Sequence, residues 1–286
     1  MKIASIDIGT NAVKSKIFKT TPTSIEFIEG IRSPIRLGTD VFTNGLLTKD
    51  KLDLLIKTLR KYQKNFIKNK ISMYEIVATS AFRDTQNSEE ARRYVENKIE
   101  HPIRIISGLE EAKLIRFHPK AQSRSSKVYV DVGGGSTEIY IYQNNKHIIQ
   151  SFQLGAVRGM LGKDDPEEWS RLKKWLRKQP KTSTLVGLGG NIRSFLNLNN
   201  TKKMKSENFI KEITNLNSLD VDTKISACKL QKDRADVIDF ALQIYIEIIK
   251  ILKVQEIKST KWGVSDSIAV KTFHELYSKK ISISRS

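Results

Sequence analysis

A single cysteine, Cys228, in a chain of 286 residues rules out an internal disulfide framework. Prolines number 6 and glycines 15, too few for a linker, a collagen-like repeat or a low-complexity tract. No apolar run approaches the roughly eighteen residues needed to span a bilayer. The opening MKIASIDIGT is interrupted at Asp7, so it does not read as a secretory signal. A reducing cytoplasm is therefore the expected location, with no membrane partner. The histidines, His101, His118, His147 and His274, are scattered without metal-ligand spacing, and His118 and Cys228 read as structural.

What the chain does have is a globular balance, 39% hydrophobic and 28% charged, at a length that favours two lobes. It is also strongly basic: 50 Lys and Arg stand against 31 Asp and Glu, a net charge of +19. The excess is spread over both halves, 22 basic against 14 acidic through residue 120 and 28 against 17 after it. Such a field asks for an anionic partner. The densest clusters, Arg60 through Lys70 and Arg171 through Lys181, have two readings: solvated faces of amphipathic helices, or a track for nucleic acid or another polyanion.

An internal repeat organises the rest. Strand Lys2–Ile8, turn Gly9-Thr10-Asn11, strand Val13–Phe18, a second turn and strand Ser24–Glu29 form one unit. About one hundred residues later, Lys127–Val132, Gly133-Gly134-Gly135-Ser136, Thr137–Tyr142 and His147–Phe152 repeat the plan. Asp7 and Asp131 each close the first strand before the glycine turn, and the exits Arg36-Leu37-Gly38 and Leu154-Gly155-Ala156-Val157-Arg158 also correspond. The repeat predicts a duplicated α/β architecture with two turns facing each other across a cleft. Helical spacing predicts helices over Lys49–Asn69, Ser88–Asn97, Gly108–His118, Pro166–Lys178 and Arg234–Leu252, with Asn197–Ser206 as a loop.

Both turns are rich in backbone N–H groups, and glycine lets the main chain approach an anion closely. Two such nests suggest a phosphate chain gripped from both sides, and aspartates at the strand ends suit a hydrated Mg²⁺. A third turn, Gly187-Leu188-Gly189-Gly190-Asn191, lacks dinucleotide-fingerprint spacing. Ser107 as N-cap and Glu110 as its capping-box partner explain one glutamate of the Glu110-Glu111 pair. One of the two then remains available as a general base. Arg83 is either a phosphoryl clamp or an ordinary surface arginine.

These motifs, with Ala78-Thr79-Ser80-Ala81-Phe82-Arg83 and Arg234-Ala235-Asp236-Val237-Ile238, resemble in order those of the exopolyphosphatase and guanosine pentaphosphate phosphohydrolase (Ppx/GppA) family across essentially the whole chain. The resemblance implies an actin-, Hsp70- and sugar-kinase-like fold of two duplicated ribonuclease-H-like lobes with an interlobe active-site cleft. Lobe I would span residues 1–118 with a C-terminal helix in 267–286, and lobe II 119–266. It implies Mg²⁺-dependent release of a terminal phosphate from inorganic polyphosphate, or of the 5′-γ-phosphate from guanosine pentaphosphate. It makes Glu111, the second glutamate, the base and Arg83 a phosphate-holding residue. Gly9, Thr10, Asn11, Gly133, Gly134, Gly135, Ser136 and Thr137 would bind phosphate, and Asp131, Glu138 and Asp7 the metal.

Two positions depart from the family pattern: Ala12 where a hydroxyl residue is usual, and Asn191 where threonine is frequent. No His-Asp dipeptide occurs, so a short form without the C-terminal HD-like domain is expected. Polyphosphate is the preferred substrate because a long polyanion profits from a broad basic surface. Rival readings are an ATP-dependent kinase of the same fold and a non-catalytic polyphosphate or nucleotide sensor. Nucleic acid is not the expected partner, and a homodimer stays open.

Overall fold

The structure is a computed structural model that describes residues 1–123 and 126–283. The chain divides into two units, Met1–His118 together with the segment from Val264 onward, and Pro119–Gly263. The return to unit 1 starts three residues earlier than the sequence suggested, because the C-terminal helix begins at Val264.

Unit 1 is built on a five-stranded sheet: β1 (Lys2–Ile8), β2 (Val13–Thr20), β3 (Ile25–Ser33), β4 (Met73–Ala78) and β5 (Arg104–Ile105), in the order β3-β2-β1-β4-β5. The first three strands form antiparallel hairpins, while β4 lies parallel to β1 and β5 parallel to β4. Buried on nearly its whole length, β1 reads Ile-Ala-Ser-Ile-Asp-Ile, as a central strand covered on both faces should. Helix Lys49–Lys68, capped by the Thr48 side chain, buries the predicted stripe Leu52, Leu55, Ile56, Leu59 and Phe66, with Tyr62 added. The C-terminal helix sets Ala269 and Phe273 against Ile3 and Phe18, and Ile268 against Val77, Ile106 and Leu114.

Unit 2 repeats the plan. Strands β6 (Lys127–Val132), β7 (Thr137–Gln143), β8 (Lys146–Phe152), β9 (Thr184–Leu188), β10 (Lys203–Lys205) and β11 (Glu256–Ser259) follow the order β8-β7-β6-β9-β11-β10. Two antiparallel hairpins come first, then two strands parallel to the first, as in unit 1; β10 is an added antiparallel edge. The shared strand path is the ribonuclease-H-like arrangement, so the duplication read from the glycine turns holds at the level of topology. Both units are α/β, and unit 2 repeats the strand plan of unit 1.

Three expectations need correction. Residues 197–206 are not all loop: helix Gly190–Leu198 runs into them, Lys203–Lys205 forms the edge strand, and Ser206 opens helix Ser206–Asn217. A lysine-flanked strand is what an exposed sheet edge favours, since charge blocks pairing with another chain. The expected helix Arg234–Leu252 is broken into Lys232–Ala235 and Ile238–Leu252. Gly108–His118 is helical only to Leu114, its last turn tightening into a 3₁₀ helix over Ile115–Phe117. Among the described residues no helix is long and apolar enough to cross a membrane.

Candidate functional site: two equivalent turns and a buried glutamate

In unit 1 the turn after β1 is closed by a hydrogen bond from Gly9 N–H to the Ala12 carbonyl, 3.2 Å. The Thr10 carbonyl accepts from Gly38 N–H at 2.9 Å and the Asn11 carbonyl from Arg36 N–H at 3.0 Å. In a trans peptide unit the N–H points opposite to the C=O. Carbonyls committed to residues 36–38 therefore direct the N–H groups of Asn11 and Ala12 the other way, which is the geometry of an anion nest. The Thr10 hydroxyl is 2.5 Å from the Ser80 hydroxyl, so the turn is also fastened to the short helix Ser80–Arg83.

That helix carries Arg83, whose Nη1 donates to the Ile106 carbonyl at 2.9 Å and lies 3.4 Å from Glu111 Oε2. Glu111 stands in the first turn of helix Gly108–Leu114 and is buried, 8% exposed. Its neighbour Glu110 is exposed and spent on the capping box: it accepts from the backbone N–H and hydroxyl of Ser107, while Ser107 Oγ accepts from Glu110 N–H. Those hydrogen bonds hold the Glu110 carboxyl below its ordinary range. The structure thus separates the two glutamates that spacing alone left equivalent. Arg83 has a role that sequence reasoning did not give it: it fixes the Glu111 carboxylate and ties it to the strand β5 exit.

In unit 2 the corresponding turn is richer. Gly133 N–H donates to the Ser136 carbonyl at 2.9 Å, and the Gly133 and Gly134 carbonyls accept from Ala156, Val157 and Arg158 N–H at 2.7–3.0 Å. The Gly135 carbonyl accepts from Arg158 Nε at 3.0 Å. Three consecutive carbonyls turned toward residues 156–158 direct the N–H groups of Gly134, Gly135 and Ser136 to the opposite side. Close approach is possible only because residue 155 is glycine: a Cβ there would fall 2.6 Å from the Gly134 main chain. The Thr137 hydroxyl is fully buried and donates to the Leu154 carbonyl at 2.6 Å, so it braces the turn.

Asp131 at the end of β6 is directly opposite Glu138 on β7, and Glu138 is opposite Ser151 on β8. Directly paired residues share a sheet face, so the two carboxylates project on one side. Glu138 is 2% exposed and accepts from the Ser151 hydroxyl at 2.9 Å. Magnesium is commonly held by one or two carboxylates together with substrate phosphates and water, and this pair fits such a site. Among the described residues no three His, Cys, Asp or Glu side chains gather into a metal-binding group. Asp7, 2% exposed, has Lys14 Nζ at 3.3 Å as its counter-ion.

The third glycine turn supports Asp131. Gly189 has φ +81°, and a Cβ on it would lie 2.7 Å from Asp131 Oδ1. Asn191 Nδ2 donates to the Val132 carbonyl at 2.9 Å and its Oδ1 accepts from Arg234. Asn191 is therefore a brace of the β6 exit, held by an arginine whose function the sequence did not reveal. Beneath them the Tyr245 hydroxyl lies 3.3 Å from the Val130 carbonyl and 3.4 Å from that of Leu188, joining β6 to β9. Burial first, and then the Asp131 charge, push its ionisation well above the ordinary phenol value.

Two α/β units with matching glycine turns set the frame, and comparison with known proteins gives the chain a family. The model of the Ppx/GppA phosphatase family matches residues 16–276, and the chain belongs to that family. It is similar to the Aquifex aeolicus member of the Ppx/GppA protein family, at 25% identity over 96% of this chain and 98% of that one, TM-score 0.77. A structure described as an exopolyphosphatase from Cytophaga hutchinsonii shares the fold, with TM-score 0.86 at 19% identity over 96% and 98% of the two chains. By family the chain is a phosphatase-type hydrolase.

Proposed function

We propose that the chain is an exopolyphosphatase that releases terminal orthophosphate from inorganic polyphosphate by in-line attack of water. The observation that carries the reading is the division of labour at residues 110 and 111: Glu110 is spent on its helix cap, while Glu111 is buried and aligned by Arg83. Family membership and the two nests supply the phosphate chemistry.

Glu111 accepts a proton from the attacking water as it adds to the terminal phosphorus, and the departing phosphate chain takes the electron pair of the broken P–O bond. Backbone N–H groups of Asn11, Ala12, Gly134, Gly135 and Ser136 bind phosphoryl oxygens, and Arg83 keeps the base oriented and adds positive charge beside it. Asp131 and Glu138 would hold Mg²⁺, which would supply positive charge to neutralise the phosphoryl oxygens. Asp7 stays paired with Lys14 and braces the first turn.

The test is phosphate release with Mg²⁺ from long-chain polyphosphate, guanosine pentaphosphate and ATP, run beside Glu111→Gln. Release from polyphosphate that falls by about 10²–10⁴-fold in the variant is the expected result. Preferential release from guanosine pentaphosphate would move the substrate to the nucleotide. Unchanged release in Glu111→Gln would remove the base, acceptor-dependent ADP formation would indicate a kinase, and binding without turnover a sensor.

A further inference from the structure

The basic cluster beginning at Arg60 is not used by either turn, yet it lines a defined groove. Helix Lys49–Lys68 and helix Ser88–Ile99 of unit 1 border a concavity of about 830 Å³, with Lys57, Arg60, Lys61, Lys64, Lys98 and Tyr94 on its walls. Lys57, Lys61 and Lys64 recur at i, i+4 and i+7, which places them on one helix face. All three are exposed, and neither they nor Lys98 enter an ion pair among the described residues. Asp53 is the acidic residue of the lining, and it accepts a hydrogen bond from the Tyr94 hydroxyl at 2.8 Å.

Structural work in the groove falls to a different residue. Arg60 donates through Nε and Nη2 to the Lys98 carbonyl at 3.2 and 2.7 Å, so it clamps the end of the second helix and sets the spacing of the walls. Ser33, also in the lining, pairs with Val13 across β2 and β3, and the Tyr62 hydroxyl lies 2.8 Å from Ser33 Oγ and 3.2 Å from the Val13 carbonyl. Val13 directly follows the Gly9–Ala12 turn. The groove and the first phosphate nest are therefore linked within a single unit.

We propose that this groove is an accessory binding site for a long inorganic polyphosphate, holding part of the chain away from the end that is hydrolysed; the assignment rests on the exopolyphosphatase reading above. Lysine ammonium groups are point charges that suit phosphates in any register. A nucleic-acid strand would be expected to find stacking platforms as well, whereas the lining offers one tyrosine whose hydroxyl is tied to Asp53. A chain held in the groove meets the hydrolytic site at a raised effective concentration, an advantage only long substrates gain.

The experiment compares wild type with the triple variant Lys57→Gln/Lys61→Gln/Lys64→Gln, and with a control, Lys174→Gln/Lys178→Gln/Lys250→Gln, that removes equal charge from unit 2. The expected result is a KM for long-chain polyphosphate raised about tenfold in the groove variant alone, with a shallower salt dependence and tripolyphosphate turnover within about twofold of wild type. Equal loss on both substrates, no loss on either, or an equal rise in the control would overturn the proposal. Should wild type hydrolyse no polyphosphate, the functional reading fails and direct binding decides the groove. Long-chain polyphosphate bound by wild type and released by the groove variant supports it; single-stranded DNA retained in preference to polyphosphate, or binding unaffected by the variant, overturns it.

Discussion

The two units carry the same row of residues with opposite electrostatics. In each, an aspartate is the next-to-last residue of the first strand and the residue seven positions later stands directly opposite on the second strand: Asp7 with Lys14 in unit 1, Asp131 with Glu138 in unit 2. Unit 1 supplies its own counter-charge, with Lys14 Nζ 3.3 Å from the Asp7 carboxylate. Unit 2 instead sets a second carboxylate beside the first, an arrangement that favours an added cation because like charges on adjacent strands repel. The turns differ in the same sense. One glycine and a Thr10–Ser80 tie suffice at the first, whereas three glycines and the close approach of Gly155 expose a longer run of N–H groups at the second. A duplicated strand plan thus carries different side chains at matching positions, one unit holding the buried Glu111 and the other the paired carboxylates of Asp131 and Glu138.

Exchanging the charge in that row is the most disruptive way to break the comparison. Glu138→Lys would give unit 2 the internal cation of unit 1, and phosphate release should fall by about a hundredfold or more and lose its response to added Mg²⁺. A retained Mg²⁺ response would show that the row does not hold the metal. Next in size is Gly155→Ala. Its Cβ would meet the Gly134 main chain at 2.6 Å, and a thermal melt should show a loss of about 2 kcal/mol; in Gly9→Ala, where the nearest atom is at 3.0 Å, the loss should be smaller.

Lys14→Met removes the counter-ion of an aspartate that is 2% exposed. Since the lysine itself is partly solvated, urea unfolding should register about 1 kcal/mol rather than the larger cost of a fully buried pair. The smallest effect belongs to Glu110→Gln, about 0.5 kcal/mol at neutral pH through the weakened capping box. The folded-state value of Glu110 is depressed, so its contribution is present above the ordinary glutamate value of 4.5 and fades as pH falls through the lower folded one. Wild-type and variant stabilities should converge in acid. Phosphate release in Glu110→Gln should stay near wild type, in contrast to Glu111→Gln.

Much of this plan was legible in the sequence, for identifiable reasons. β1 and β6 start and stop where the apolar runs and glycine turns place them, and Ser107 with Glu110 announces the helix start at Gly108. Short elements with little pattern were not legible. The three-residue strand Lys203–Lys205 is too brief to show alternation, and the interruption before Ile238 falls inside a continuous helical stripe. At the site, the glycine turns and the Ser107–Glu110 capping box were visible as local motifs, whereas the choice of Glu111 over Glu110 came from the family resemblance, and the bracing by Arg234 through Asn191 spans 43 residues and has no local signature. The Lys14 role could have been found: once the two units are aligned on their aspartates, position 14 falls opposite Asp7 as position 138 does opposite Asp131.

Calorimetric titration of Mg²⁺ in the presence of tripolyphosphate tests the division between the units most directly, comparing wild type with Glu138→Gln and with Asp7→Asn. The account predicts that binding heat is lost in Glu138→Gln and kept in Asp7→Asn, whose carboxylate already has Lys14 as its cation. Loss in Asp7→Asn with binding intact in Glu138→Gln would contradict it.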